Sequence, residues 1–354
     1  MTGNVATILF LSTLSFFFTL AVTPILSDFL YRHRARFGKQ IRDDSKTQIF
    51  QKFHKPKAGT PTMGGILIWG TVLFLAFFFW ALSVTGKNLL LDQLNFLDRR
   101  QTLLPLGALF LGALFGLADD LAGVFHIGLN GGGFSVKWKF LLYSLVGLGG
   151  AWWFFYKLGR HIIFIPFLGG FDIGLWYIPV FLFIIIATLF SANETDGLDG
   201  LLGGVLLFAF ASVAVVAYSQ GLYSLAAFCG VIIGALLTFL WFNIYPARFF
   251  MGDTGSISLG VTLGVIAMLT NTVFLLPFFA FILVLESGSV ILQLFWKKVL
   301  GRKLFLSTPI HHHFEALGWP EPKVVMRFWI ISAVFATLGL VIYFVSAPIT
   351  PGLK

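Results

Sequence analysis

Long apolar blocks separated by short polar turns organise this chain. Ten blocks reach or approach the roughly 20 residues that cross a bilayer as helix: residues 5–29, 62–85, 102–118, 137–156, 176–192, 199–219, 222–242, 256–271, 273–296 and 325–347. Two stretches, 176–192 and 201–242, contain no charged side chain at all. Between the fourth and fifth blocks, residues 161–178 alternate aromatic and aliphatic side chains around Gly169-Gly170, which predicts a short surface hairpin. Pro277 predicts a kink in the ninth block, because proline removes an N–H and crowds the preceding turn. The predicted architecture is an all-α polytopic membrane protein of ten transmembrane helices with a kinked ninth helix. Nothing along residues 1–354 marks an internal repeat or a separate soluble unit, so a single integral membrane domain is expected.

Composition agrees with that reading and excludes an ordinary soluble domain: 58% of residues are hydrophobic and 11% charged, against about 25% charged in soluble domains. No basic segment precedes the first block, which therefore reads as a span and not as a cleaved signal. A lone cysteine, Cys229, allows no disulfide framework or cysteine-based metal site within one chain. Ten spans sort the polar segments into two sets, and one set carries 18 of the 24 Lys and Arg residues. By the positive-inside rule that set is cytoplasmic, leaving both termini and the hairpin periplasmic. A basic rim against anionic lipid accounts for the net charge of +9 without nucleic acid.

The same cytoplasmic set gathers most of the chemistry-bearing residues. Residues 193–200 read Asn-Glu-Thr-Asp-Gly-Leu-Asp-Gly, with Asn193, Asp196 and Asp199 spaced to share a face if the helix continues. Asp119-Asp120 closes the third block, and as neighbours on a helix end they point apart and do different work. Gly252-Asp253-Thr254-Gly255-Ser256 opens the eighth and offers a carboxylate, hydroxyls and free N–H groups at a helix N-terminus, a phosphate-binding arrangement. Lys57 with Gly59-Thr60-Pro61-Thr62-Met63-Gly64-Gly65 opens the second, Pro61 suiting a first helical turn. His311-His312-His313 lies between the last two blocks. Each cluster has a plainer reading: a polar turn, a helix cap, or histidines in hydrogen bonds instead of on a metal. Glu286, deep in the ninth block, reads as a group bonded to a neighbour inside the bundle. Five such clusters on one face argue for a site, and carboxylates beside a phosphate site suit Mg²⁺.

Together these residues resemble the bacterial phospho-N-acetylmuramoyl-pentapeptide transferases, within the polyprenyl-phosphate N-acetylhexosamine-1-phosphate transferase superfamily. The resemblance rests on Lys57 through Gly65, Asp119-Asp120, residues 193–200, Phe242-Asn243 through Ser256, Glu286 through Gln293, Pro309 through Glu315 and Phe328 through Ile331. It implies a Mg²⁺-dependent enzyme of the bacterial inner membrane, a homodimer, active on the cytoplasmic face. It would move phospho-N-acetylmuramoyl-pentapeptide from its uridine nucleotide to undecaprenyl phosphate, giving UMP and lipid I. It also implies residue roles: Asp253 on the metal, Asp119 as base or nucleophile with Asp120 beside it, and Asn193, Asp196 and Asp199 along the nucleotide and diphosphate pocket. Phe250 would stack on uracil near Lys57, Asn243 and Gln293, with His311, His312 and His313 opposite. The chain departs from the family at Leu121 and Gly123, where Tyr and Lys are usual, and at Gly131-Gly132-Gly133, Tyr143 and Glu194. With Gly123 in place of a cation, Lys139, which matches a family lysine, is the first candidate to hold the acceptor phosphate, and Lys137 the second. A secondary transporter would instead place polar residues near the midplane in broken helices of two similar halves, a pattern this chain lacks.

Overall fold

The computed structural model describes residues 2–33, 38, 57, 59–85, 89–127 and 133–346. Lys87, Gly131, Gly132, Lys354 and most of the basic 31–55 segment lie outside the described residues. Backbone groups in hydrocarbon must bond within their own segment, so the apolar blocks fold as helices. In chain order these are α1 (Thr2–Arg32), α2 (Ile66–Thr85), α3 (Leu89–Leu94), α4 (Leu103–Val124), α5 (Val136–Trp152), α6 (Tyr177–Thr195), α7 (Leu201–Ser219), α8 (Tyr223–Asn243), α9 (Asp253–Leu269), α10 (Leu276–Phe279), α11 (Phe281–Leu300), α12 (Ile310–Ala316) and α13 (Glu321–Ser346).

Among the described residues, seven helices (α1, α2, α4, α6, α7, α8 and α13) are long and apolar enough to cross a membrane, or eight if α10 and α11 form one bent span. The remaining two expected spans correspond to α5 and α9, each of 17 residues. Every residue of α9 from Thr254 to Leu269 is buried, so this helix is the central post of the bundle. It packs chiefly on α4 and α6, and the contacts use small residues, as membrane helices do when backbones approach closely. A Cβ added at Gly112 would lie 2.8 Å from the Ser258 Cα, and one at Gly260 would lie 2.9 Å from the Leu189 Cα. On the far side α1 docks on α8, with Ser15 Oγ donating to the Val231 carbonyl at 2.7 Å and Thr238 Oγ1 to that of Phe16 at 2.8 Å.

The hairpin is present: β1 (Ile162–Ile165) pairs antiparallel with β2 (Gly169–Asp172), Ile162 opposite Asp172 and Ile165 opposite Gly169. Its turn is residues 166–168, so the glycine pair begins the second strand and does not make the bend. Asn271 Oδ1 accepts from the Phe164 N–H at 3.0 Å and ties the hairpin to the loop after α9. The kink of the ninth block is a 92° bend. It falls at Ala280 (φ −123, ψ 40), not at Pro277. Pro277 sits in the first turn of α10, where a missing N–H breaks no helical hydrogen bond.

Candidate active site

Four helix ends and the turn after α6 meet at one end of the bundle. The last turns of α4 carry Asp119 and Asp120, the first turn of α5 carries Lys139, α6 ends near Asn193, and α9 begins at Asp253. Lys139 Nζ bridges Asp119 Oδ2 at 2.6 Å and Asp253 Oδ2 at 2.7 Å. The other oxygen of Asp119 accepts from the Phe134 N–H at 2.6 Å, so the chain before α5 folds back over that carboxylate. Asn193 Nδ2 donates to Asp253 Oδ1 at 2.8 Å. Asp253 is thereby held by a cation on one oxygen and an amide on the other.

Asp120 faces elsewhere. Its two oxygens accept from the N–H groups of Asp253 at 3.1 Å and Thr254 at 3.0 Å, capping α9 from a neighbouring helix. The N-terminus expected to receive phosphate is therefore filled by a carboxylate of the chain itself. Gly252 makes this fit possible: its φ is +74, and a Cβ there would lie 2.7 Å from Asp120 Oδ2. Asp196 Oδ2 holds the same turn from the other side through the Gly252 N–H at 3.1 Å. A Cβ at Gly116 would collide with the carbonyl of Asp253, so the α4 main chain rests directly on the Gly252–Asp253 turn.

A second ionic group lies alongside. Lys57 Nζ pairs with Asp199 Oδ1 at 2.6 Å and Glu321 Oε1 at 2.5 Å. It also lies 5.8 Å from the centroid of Phe250. Glu321 Oε1 accepts in addition from the Asp199 N–H at 2.6 Å, and Asp199 Oδ2 from the Ala247 N–H at 3.0 Å. The row of Asn193, Asp196 and Asp199 is broken, because α6 stops at Thr195 and the chain turns through Gly197 to Gly200, φ +78. Asn193 and Asp196 reach the Gly252–Asp253 turn, whereas Asp199 turns away to Lys57.

The three histidines take three different partners. His311 Nδ1 meets Glu286 Oε2 at 2.9 Å with both side chains fully buried, which bears out Glu286 as a bonded group inside the bundle. His312 Nδ1 meets Glu315 Oε2 at 2.6 Å, and His313 Nδ1 accepts from the Leu306 N–H at 3.2 Å. Burial pushes the His312 imidazole below its ordinary pKa, His311 adding to this and Glu315 opposing it. The His311 ring packs on the 193–200 turn, where a Cβ on Gly197 would collide with Nε2. Among the described residues no group of three or more His, Cys, Asp or Glu side chains is placed to hold a metal ion.

Comparison with known proteins decides the family. A model described as Glycosyl transferase family 4 matches residues 102–271, and a phospho-N-acetylmuramoyl-pentapeptide-transferase signature matches residues 57–68. Proteins named phospho-N-acetylmuramoyl-pentapeptide-transferase are similar along nearly the whole chain. That of Chloroflexus aurantiacus is 36% identical over 364 residues, covering 99% of this chain and 93% of the relative. That of Anoxybacillus flavithermus is 36% identical over 340 residues, covering 96% and 98%. The chain belongs to the phospho-N-acetylmuramoyl-pentapeptide-transferase family.

Within this transferase fold the residues expected at the site divide by what they touch. Asp119, Lys139, Asn193 and Asp253 converge, and Lys139 supplies beside Asp119 the cation absent at Gly123. Lys137 is exposed on the same helix. Asn243 and Gln293 have both ends of their amides committed to backbone. Asn243 joins the Gly200 N–H (3.0 Å) to the Phe249 carbonyl (2.8 Å). Gln293 Oε1 accepts from the Leu304 and Phe305 N–H groups, both at 2.9 Å. Gly64 and Gly65 donate their N–H groups to the carbonyls of Phe250 and Met251, and α2 begins only at Ile66, so Pro61 precedes the helix instead of opening it. Sequence reasoning missed Glu321. It reads as an ordinary first-turn acid of α13, and its partner Lys57 is 264 residues away.

Proposed function

We propose that this transferase moves phospho-N-acetylmuramoyl-pentapeptide from UDP-N-acetylmuramoyl-pentapeptide to undecaprenyl phosphate in peptidoglycan synthesis, giving UMP and the lipid-linked diphosphate product, lipid I. The observation that carries the reading is the Lys139 bridge between Asp119 and Asp253, in a chain of this family. Phosphoryl transfer asks for charge neutralisation and alignment more than for covalent chemistry by the protein. In this reading an oxygen of undecaprenyl phosphate bonds to the β-phosphorus of the nucleotide, the bond from that phosphorus to the bridging oxygen breaks, and UMP leaves. Asp119 orients the acceptor phosphate or takes its proton, Lys139 offsets its charge, and Asp120 positions the Asp253 turn by capping α9. Lys57, Phe250, Asp196 and Asp199 lie toward the nucleotide, with His311, His312 and His313 across the 193–200 turn.

The donor set fits Mg²⁺. Asp119 and Asp253 are hard oxygen donors that converge on one cation position, taken here by the Lys139 ammonium. Mg²⁺ commonly needs only one or two protein carboxylates besides waters and substrate phosphate. Asp253 would be its ligand, and when bound it supplies positive charge to the transferring phosphoryl group. Both oxygens of Asp119 are already bonded, which favours direct attack by the acceptor over an aspartyl-phosphate intermediate.

In the membrane this reading adds α5 and α9 to the spans, makes ten crossings in a homodimer, and sets the site on the cytoplasmic face by the excess of basic residues there. The test is purified protein with radiolabelled UDP-N-acetylmuramoyl-pentapeptide, undecaprenyl phosphate and Mg²⁺. Label extractable into organic solvent with matching UMP release is the expected result, and no lipid-linked label would overturn the reading. Nucleotide alone yielding stoichiometric UMP and labelled protein would replace direct attack with the covalent route.

A further inference from the structure

The last turns of α1 carry a polar stripe among the apolar positions Ile25, Leu26, Phe29 and Leu30. Thr23, Ser27 and Tyr31, spaced four apart, share a face, and Asp28 lies beside them. α1 continues past the end of α8, and the chain leaving α8 lies against it. The Tyr31 hydroxyl donates to the Arg248 carbonyl at 2.8 Å, and the Arg248 N–H donates to the Phe242 carbonyl at 2.8 Å. Between these two walls is a hollow of about 350 Å³ whose lining includes Thr23, Ser27, Asp28, Tyr31, Phe242 and Arg248. Its two charges do not meet. Among the described residues no carboxylate pairs with Arg248, whose guanidinium stands 5.8 Å from the centroid of the Phe242 ring. Asp28 pairs instead with Arg32 at 2.8 Å, and those two side chains are 58% and 74% exposed. An exposed pair of this kind contributes little, so Asp28 can exchange its partner.

We propose that this hollow binds the headgroup of an ethanolamine phospholipid, its phosphate on Arg248 and its ammonium on Asp28. A guanidinium takes a phosphate through two parallel N–H bonds, and a primary ammonium brings three donors for the carboxylate and the neighbouring hydroxyls. The methylated nitrogen of choline has no N–H to give Asp28. A glycerol headgroup leaves the lipid anionic, and Asp28 then opposes it. The bilayer is the source of the ligand, because the hollow lies where two apolar spans end. Exposed Ile25, Phe29, Trp241 and Tyr245 flank it in sequence, and aromatic side chains of this kind sit at headgroup level. The site is independent of the proposed reaction. A lipid held there ties the end of α1 to the segment that carries Ala247 to Asp199 and Phe250 to Lys57.

Native mass spectrometry of the detergent-purified full-length protein, with dioleoyl lipids of each headgroup added at equal concentration, tests this without turnover. Phosphatidylethanolamine should bind about tenfold more tightly than phosphatidylcholine or phosphatidylglycerol, the difference made by one charge-assisted contact. Arg248→Gln and Asp28→Asn should each remove that preference. Both side chains are exposed, so neither change disturbs a packed interior. Arg32→Gln should keep the preference, and its loss there would assign the phosphate to Arg32 and overturn the pairing. As a second readout, phosphatidylethanolamine should raise the Tm of the parent and of neither Arg248→Gln nor Asp28→Asn. Equal binding of the three lipids, or a preference that survives in both variants, overturns the proposal. So does tighter binding of phosphatidylglycerol that is lost in Arg248→Gln and kept in Asp28→Asn, because the hollow then serves anionic lipid. Soluble phosphoethanolamine binding as tightly as the lipid would make the ligand a free phosphate ester and overturn the membrane assignment.

Discussion

Two lysines in this molecule each lie between two carboxylates, yet their surroundings give them different work. The Lys139 side chain is 25% exposed, that of its partner Asp253 23% and that of its other partner Asp119 9%. Lys57 is 10% exposed, Asp199 3% and Glu321 10%. An open ion pair can exchange one partner for an incoming phosphate at modest cost. A closed one cannot, because losing a partner strands a buried charge. Lys57 also joins segments far apart in sequence, the start of the 57–65 stretch, the 193–200 turn and the first turn of α13. The same three-charge arrangement is partly open in one place, and in the other, beside Phe250, it is closed and ties distant segments together. The exposure of Lys139 and Asp253, not residue type, separates them.

Removing the closed lysine is the harshest test. Lys57→Met leaves Asp199 and Glu321 facing each other and should cost about 3–5 kcal/mol of stability, read as a fall in Tm of the detergent-purified protein. An unchanged Tm would erase the distinction. Next comes Asp253→Asn, which keeps shape and loses charge. Turnover should fall by about 10²–10³ with Tm preserved, and activity within a few-fold of the parent at low Mg²⁺ would reject Asp253 as the metal ligand. Lys139→Ala should raise the apparent KM for undecaprenyl phosphate about tenfold, the loss of one charge-assisted contact, with little change for the nucleotide. Should the nucleotide KM move instead, Lys139 belongs to the diphosphate pocket. The smallest effect is expected from Asp120→Asn, which retains one acceptor for the α9 N-terminus. A cost of about 0.5–2 kcal/mol in stability is expected, with a lesser activity loss than at Asp253. An equal activity loss would make Asp120 a direct participant.

Much of this was legible in the sequence because local pattern determines it. Uncharged blocks gave the helices, and the different duties of Asp119 and Asp120 followed from adjacency on one helix. Lys139 came from the resemblance instead, which marks the cation missing at Gly123 and matches Lys139 to a family lysine. What local pattern misses is where a helix stops. Asp196 and Asp199 share a face only if α6 continues, and Gly197 and Gly200 end it. The α9 N-terminus read as an anion site because nothing nearby in sequence announces that Asp120, 133 residues earlier, already occupies it. Glu321 stayed hidden for the same reason, its ordinary role as a first-turn acid being sufficient locally. The bend at Ala280 came from the region Pro277 marks, but from a residue with no sequence signal of its own.

The contact of Gly116 with the Asp253 carbonyl bears on which substitutions this chain can accept. At that position, and at Gly65, where a Cβ would collide with the Gly255 main chain, even alanine displaces backbone of the residue 252–255 turn. Flexible side chains can swing aside to admit a new neighbour, but two main chains in contact have nowhere to go. The space for a side chain at these two positions is therefore closed by main chain alone, and glycine is the residue that fits.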